Sequence, residues 1–198
     1  MIKETKWQID QSHSNIEFKV RHLMISNVKG EFKKFDANVY TTAKDFTTAQ
    51  IDLSIDAESI TTGDEKRDEH LKSADFLDVQ NHKQITFTAS SIGPADTNGN
   101  HKLWGELTIK GVGKNVQLNV QFGGIVKDLW GHEKAGFTVT GKINRSDWGL
   151  TWNSTIDTGG VVVSDEINIV CEIELIKVSQ NELEMEMASV ATKNGSLN

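Results

Sequence analysis

The run Val116-Gln117-Leu118-Asn119-Val120-Gln121-Phe122 alternates apolar and polar side chains without a break. Successive side chains of a β-strand point to opposite faces, so this stretch reads as a strand with one dry and one wet face. The same period extends in both directions. Before it come Ile16, Phe18 and Val20, then Ile51, Leu53 and Ile55, then Ile85, Phe87 and Ala89, then Leu103, Gly105, Leu107 and Ile109. After it come Phe137, Val139 and Ile143, and finally Ile167, Ile169, Cys171, Ile173 and Leu175. Repeated this often, a period of two means half-buried antiparallel strands. Asp96-Thr97-Asn98-Gly99, Lys110-Gly111-Val112-Gly113 and Trp130-Gly131-His132 supply the hairpin turns between them. Gly123-Gly124 interrupts an apolar run and reads as a bulge or sharp bend.

One segment departs from the pattern. Thr62-Gly63-Asp64-Glu65 has capping-box spacing, with Thr62 as the capping residue and Glu65 reaching back. A short helix is expected over Asp64 to Lys72, with Asp68 and Lys72 paired four residues apart, Leu71 facing down and the charges up. One helix cannot cover a sheet of this size, so the sheet must close on itself or pack on a second sheet. Closure removes the exposed edges and turns the apolar rows inward. An all-β antiparallel barrel of around eight strands with one main short helix is the expected fold, and a barrel of that size is either filled by side chains or holds one small ligand.

Composition agrees with a single domain. The chain has 198 residues, sixteen glycines and one proline, which leaves no Pro-rich linker between two units. Residues 1–178 read as the barrel and 179–198 as a polar, flexible tail in which Asn181 to Ala191 could be helical. The single cysteine excludes an intramolecular disulfide, and its phase with Ile169 and Ile173 makes Cys171 a buried, inert thiol. A formal net charge of -7 makes nucleic acid a poor partner. No run approaches the roughly 20 apolar residues that span a bilayer, and Met1 to Lys6 lacks the apolar core of an export signal, so a cytoplasmic protein is expected.

Catalytic signatures are sparse. His132-Glu133 lacks a second histidine at the zincin spacing, Gly111-Val112-Gly113 lacks the rest of a dinucleotide fingerprint, and no nucleophile elbow occurs. Asp10, Ser12 and His13 hold the residue types of a hydrolytic triad, but near neighbours in sequence rarely adopt that geometry, and a turn is the simpler reading. His70 with Asp64, Asp68 or Glu69 offers too few matched ligands for a metal site, so neither a metal nor a cofactor is expected. Trp104, Trp130, Trp148 and Trp152, with Phe18, Phe87, Phe122 and Phe137, are core residues or the lining of a ligand cavity.

The ordered set of motifs resembles one family. Trp7-Gln8-Ile9-Asp10 with His13-Ser14 and Ile16-Glu17-Phe18 is similar to the opening of the YceI-like lipid-binding proteins. Ser59-Ile60-Thr61-Thr62, Arg67 to Ser73 and Asp75-Phe76 follow in order, then Gly105-Glu106-Leu107-Thr108-Ile109-Lys110-Gly111 and Asn144 to Leu150. The resemblance covers about Trp7 to Lys177. It implies a lipocalin-like eight-stranded barrel around an elongated cavity for a long-chain lipid, such as a polyisoprenoid, a prenyl diphosphate or a quinone tail. Fatty-acid or fatty-amide binding is the nearest alternative, and a small hydrolase-like enzyme using His13 or His70 is a more distant one. Under the first reading the tunnel is lined by Phe18, Val20, Ile51, Leu53, Ile55, Phe87, Leu107, Val120, Phe122, Phe137, Ile143 and Ile169. Arg21, His22, Arg67 and Arg145 are then the cations to meet an anionic head. The partner is an isoprenoid or other amphiphilic lipid, and a homodimer is left open.

Overall fold

A computed structural model describes residues 4–154, 161–179 and 182. Its strands are β1 (Glu4–Ile9), β2 (Asn15–His22), β3 (Ser26–Phe32), β4 (Phe35–Thr42), β5 (Asp45–Asp56), β6 (Ile60–Thr61), β7 (Gln84–Ile92), β8 (Asn100–Ile109), β9 (Val112–Lys127), β10 (Glu133–Asn144) and β11 (Val163–Lys177). A single α-helix, α1 (Glu65–Lys72), and two 3-10 turns, Ala57–Ser59 and Arg145–Trp148, complete the described elements.

β1 and β2 both run antiparallel to β11, Trp7 opposite Lys177 and Phe18 opposite Ile169, so together they form one interrupted wall strand. β3 and β4 return along that wall, β3 on β2 and β4 on β1, with a break at Lys33-Lys34. Counted this way, eight strands close into an antiparallel barrel, as the hydrophobic period predicts. The hairpin at Lys110-Gly111 takes φ of 52° and 74°, the double left-handed turn that matches strand twist. Gly105 stands inside the wall where the Phe87 ring crosses it; an added Cβ would lie 2.5 Å from both that ring and the Thr88 carbonyl.

The ring has one seam. β4 leaves β3 to pair with β5, and β3 is left against only β2 and the two residues of β6. The 57–59 turn, β6 and α1 fill the gap. Asp56 donates its N–H to the Lys34 carbonyl and Lys33 donates to Ser59.

At α1 two expectations are corrected. The helix is capped by Asp64, which accepts the N–H of Arg67 at 3.0 Å, and Thr62 is not the cap. Asp68 does not pair with Lys72, which bonds Glu69 at 3.1 Å. The physical reason is burial: Asp68 turns inward and accepts the Thr61 hydroxyl at 2.9 Å, the Thr62 N–H at 2.8 Å and the Thr62 hydroxyl at 2.5 Å. Its oxygens are occupied, so the lysine turns to the solvent-side glutamate. The expected helix over Asn181 to Ala191 and the flexible tail lie outside the described residues, Ser179 and Glu182 apart.

Candidate functional site: an apolar cavity

The inward rows enclose a cavity of about 280 Å³. β2 contributes Phe18 and Val20; β5 contributes Ile51, Leu53 and Ile55; β7 and β8 contribute Phe87 and Leu107. Val120, Phe137, Ile143 and Ile169 close the circuit from β9, β10 and β11. All eleven were placed inward by the period of two. Around them the wall is hydrocarbon, with Glu17 and Arg145 the charged residues that border it.

Phe122 does not line the cavity, and the expectation for it is corrected. Its register partner is Phe137, so it faces the same side, but it lies beyond Phe137 at the rim and is 40% exposed. The bulge that displaces it is the one read from Gly123-Gly124: Gly136 faces Gly124 whereas Phe137 faces Phe122, and Gly124 takes φ +115°.

Several lining residues were missed. Phe46 has the wrong parity for Ile51 and Leu53, because three extra residues of β5 loop out where Asp45 to Gln50 takes five steps against the two of Tyr40 to Thr42, and an odd insertion reverses the alternation. The irregularity carries Phe46 to the inner face, where its ring meets Phe137 at 4.9 Å and Trp7 at 5.0 Å. Ala37 and Val39 line the cavity from β4, whose inward row Phe35, Ala37, Val39 and Thr41 does alternate, but alanine and threonine mute its signal. Leu71, Phe76 and Leu77 reach the cavity from α1 and the turns after it.

The four expected cations separate. Arg21 is exposed and gives its guanidinium to the Met24 carbonyl at 2.9 Å; His22 follows it at the end of β2 and does not border the cavity. Arg67 is exposed on α1 and bonds the hydroxyl and carbonyl of Thr62. Arg145 alone of the four borders the cavity, and it is buried. It donates to the carbonyls of Ser164 (3.0 Å), Leu150 and Trp152 (2.8 Å), with Val163 at 3.5 Å. Burial pushes its proton affinity down while Asp165 acts against that. The guanidinium thereby ties the chain after β10 to the start of β11 at one end of the barrel.

The sequence model of the YceI-like domain matches residues 7–175. The chain belongs to this family. It is similar to the UPF0312 protein SAS2572 of Staphylococcus aureus, 37% identical over 171 residues that cover 86% of this chain and 96% of the relative. Among solved structures it is similar to the Campylobacter jejuni YCEI protein, 35% identical with a TM-score of 0.66 over 81% of this chain and 91% of the other. A polyisoprenoid binding domain from Saccharophagus degradans shares the fold at 15% identity, with a TM-score of 0.59 and 86% and 97% of the two chains covered.

In this YceI-like barrel the histidine clusters lie outside the cavity. Ser12 donates its backbone N–H to Asp10 at 3.0 Å and its hydroxyl to Asp10 at 2.6 Å, the turn expected from the sequence. His13 turns the same ring nitrogen, Nδ1, to both Ser12 (3.1 Å) and Asp10 (2.8 Å). A proton relay needs the acid on one nitrogen and the nucleophile on the other, so this is not a triad. Asp10, His13 and Glu174 could together offer ligand atoms to a metal. The ammonium of Lys134 sits among them, 2.9 Å from Asp10 and 2.7 Å from Glu174. Burial raises the Asp10 carboxyl, but hydrogen bonds from Ser12, His13 and Lys134 prevail and hold it well below the carboxylate range. His70 bonds Asp75 at 2.9 Å and packs edge-on against Phe76 and Trp152, away from Asp64. Among the described residues no helix is long and apolar enough to cross a membrane.

Of the four tryptophans weighed in the sequence, Trp148 is core and donates its indole N–H to the Leu107 carbonyl at 3.0 Å; Trp104 and Trp130 are exposed. Cys171 borders the cavity, and burial pushes its thiol up to about 12.

Proposed function

We propose that the protein binds and carries a long-chain lipid, with the hydrocarbon tail inside the barrel and no chemical turnover. The observation that carries this reading is the cavity itself: about 280 Å³ enclosed almost wholly by aliphatic and aromatic side chains. Each CH₂ moved from water into such a wall contributes about 0.8 kcal/mol, so a long chain is held without polar contacts along its length. The Saccharophagus degradans domain of the same fold, a polyisoprenoid binding domain, supports an isoprenoid as the first class to test. The arginines favour a neutral head, of the quinone or amide kind, over a diphosphate. Arg21 and Arg67 stand away from the cavity, and most N–H groups of Arg145 are already spent on main-chain carbonyls. The test is native mass spectrometry of protein purified from its own host, followed by organic extraction. Co-purification of a lipid with a neutral head is expected. Failure to bind prenyl alcohols, prenyl diphosphates or fatty amides of any length would overturn the reading.

A further inference from the structure

We propose that Phe46 is the end-stop that sets the longest chain the cavity accepts. This rests on the lipid-binding reading above and deepens it to a length rule. Phe46 borders the cavity from within the irregular start of β5, where the ladder with β4 is broken. Freed from the wall row, its ring lies between the rings of Trp7 (5.0 Å), Phe137 (4.9 Å) and Phe122 (5.7 Å). The support behind it is rigid. Trp7 is fully buried, its indole N–H held by the Thr41 hydroxyl at 3.0 Å, and Thr41 is held in turn by the Ala43 carbonyl at 2.8 Å. The excursion that carries Phe46 is pinned as well, by Thr47 N–H on Asp45 at 2.9 Å and Thr42 N–H on the Thr48 hydroxyl at 2.8 Å. On its outer side lies the 40% exposed ring of Phe122, so the partly buried ring of Phe46 stands between the cavity and the solvent-facing rim.

β5 gives the cavity its direction. It runs from Phe46 at one end to Ile55 at the other, where Arg145, Leu71 and the turn after β2 gather. Of the two charged residues that border the cavity, Glu17 stands in mid-wall opposite Val170 and Glu31, whereas Arg145 belongs to that second end, so the head lies there and the tail ends on Phe46. A tail that has reached the ring gains nothing from a further methylene, because the extra carbon must either displace an aromatic stack or remain in water. Affinity then rises about fourfold per CH₂ until the ring is met and levels off beyond it.

The experiment is a binding series of saturated fatty amides of increasing length on the full chain, wild type against Phe46→Ala. The removed ring is about 5 Å deep, room for about four methylenes, since zigzag C–C bonds of about 1.5 Å advance an extended chain by about 1.25 Å per carbon. The plateau of Phe46→Ala is expected to move to chains about four carbons longer, with the slope below it unchanged. Phe46→Leu, which keeps a core side chain, is expected to move it by a smaller step and carries the test if the alanine variant does not fold. Leu53→Ala widens the mid-wall and is expected to weaken binding without moving the plateau. If folded Phe46→Ala and Phe46→Leu keep the wild-type plateau, or Leu53→Ala moves it as far, the end-stop is wrong while the lipid-binding reading stands. If the wild type binds no amide, prenyl alcohol or prenyl diphosphate, the lipid-binding reading itself falls, and the end-stop with it.

Discussion

Removing the carboxylate of Asp68 is the sharpest single test of how the seam of the barrel is held shut. The Asp68→Ala change deletes the acceptor for two hydroxyls and one main-chain N–H, at 2.9, 2.5 and 2.8 Å. Hydrogen bonds to a charged group are worth about 1.5–3 kcal/mol each, but the two threonine hydroxyls can turn to water once freed. The Thr62 N–H has no such freedom, so a net loss of about 2–4 kcal/mol is expected, a large share of the roughly 5–15 kcal/mol of a domain. Asp68→Asn keeps one oxygen for that N–H and is expected to lose less. The assay is urea unfolding of the three proteins at several pH values. Burial raises the Asp68 carboxyl, but the bonds from Thr62 and Thr61 outweigh it, so the folded-state pKa lies below the ordinary 3.8. A depressed carboxyl stabilises above its unfolded pKa and loses that contribution as pH falls through the folded value. The gap between wild type and Asp68→Ala must therefore be full at pH 7 and narrow below about pH 4. A gap under about 0.5 kcal/mol, or one indifferent to pH, would refute this account of the seam.

Three further outcomes follow from the wall. Cys171, with its thiol pushed up to about 12, is expected to resist a bulky maleimide in native protein and react fully in urea; rapid native labelling would contradict the register of β11. Gly105→Ala places a methyl 2.5 Å from the Thr88 carbonyl and is expected to cost about 1–3 kcal/mol in urea unfolding, without altering the dichroism of the folded barrel. Glu133 is pulled down to about 2 by Lys177 and Lys44; the difference in Tm between wild type and Glu133→Gln is expected above pH 4.5 and to vanish as pH falls toward 2.

The wall of the barrel was legible because its strands obey one rule, inward every second residue, and that rule survives burial, twist and closure. It failed where the ladder does. The three extra residues in β5 reverse the parity of Phe46, and the double glycine in β9 carries Phe122 out to the rim. The glycines announced the second break; nothing in Asp45-Phe46-Thr47-Thr48 announces the first, since its geometry is set by hydrogen bonds between residues of that loop and Thr42. The charged residues were the least legible. Burial, not charge, separates Arg145 from Arg21 and Arg67, and burial of a polar side chain follows from the topology around it. Asp68 is a second case: a short amphipathic helix suggests that its carboxylates face water, and this one turns under β6 because two adjacent threonines and a main-chain N–H wait there.

A barrel that holds a ligand must keep room that a better-packed core would close, and this gives a prediction of opposite signs. Ala37 and Ala49 border the cavity and are buried, small residues at inward positions where a larger apolar side chain would fit the pattern equally well. Ala37→Leu adds three carbons to the cavity opposite Leu53. At about 0.8 kcal/mol per buried carbon it is expected to stabilise the ligand-free protein by about 2 kcal/mol. For a domain of this size that raises Tm by about 4–8 °C. The same carbons occupy the path of the tail, so binding of long-chain amides is expected to fall sharply. Wild type should behave in the reverse manner: little change without ligand, and a gain of about 2.7 kcal/mol when lipid is present at a hundred times its Kd. A core whose only task is stability gives no reason for these two gains to exclude one another, whereas a carrier requires it, because the added leucine and the lipid tail bury the same wall. If Ala37→Leu is more stable and still binds long chains as the wild type does, the tail does not lie where the cavity is, and the carrier reading loses its physical basis.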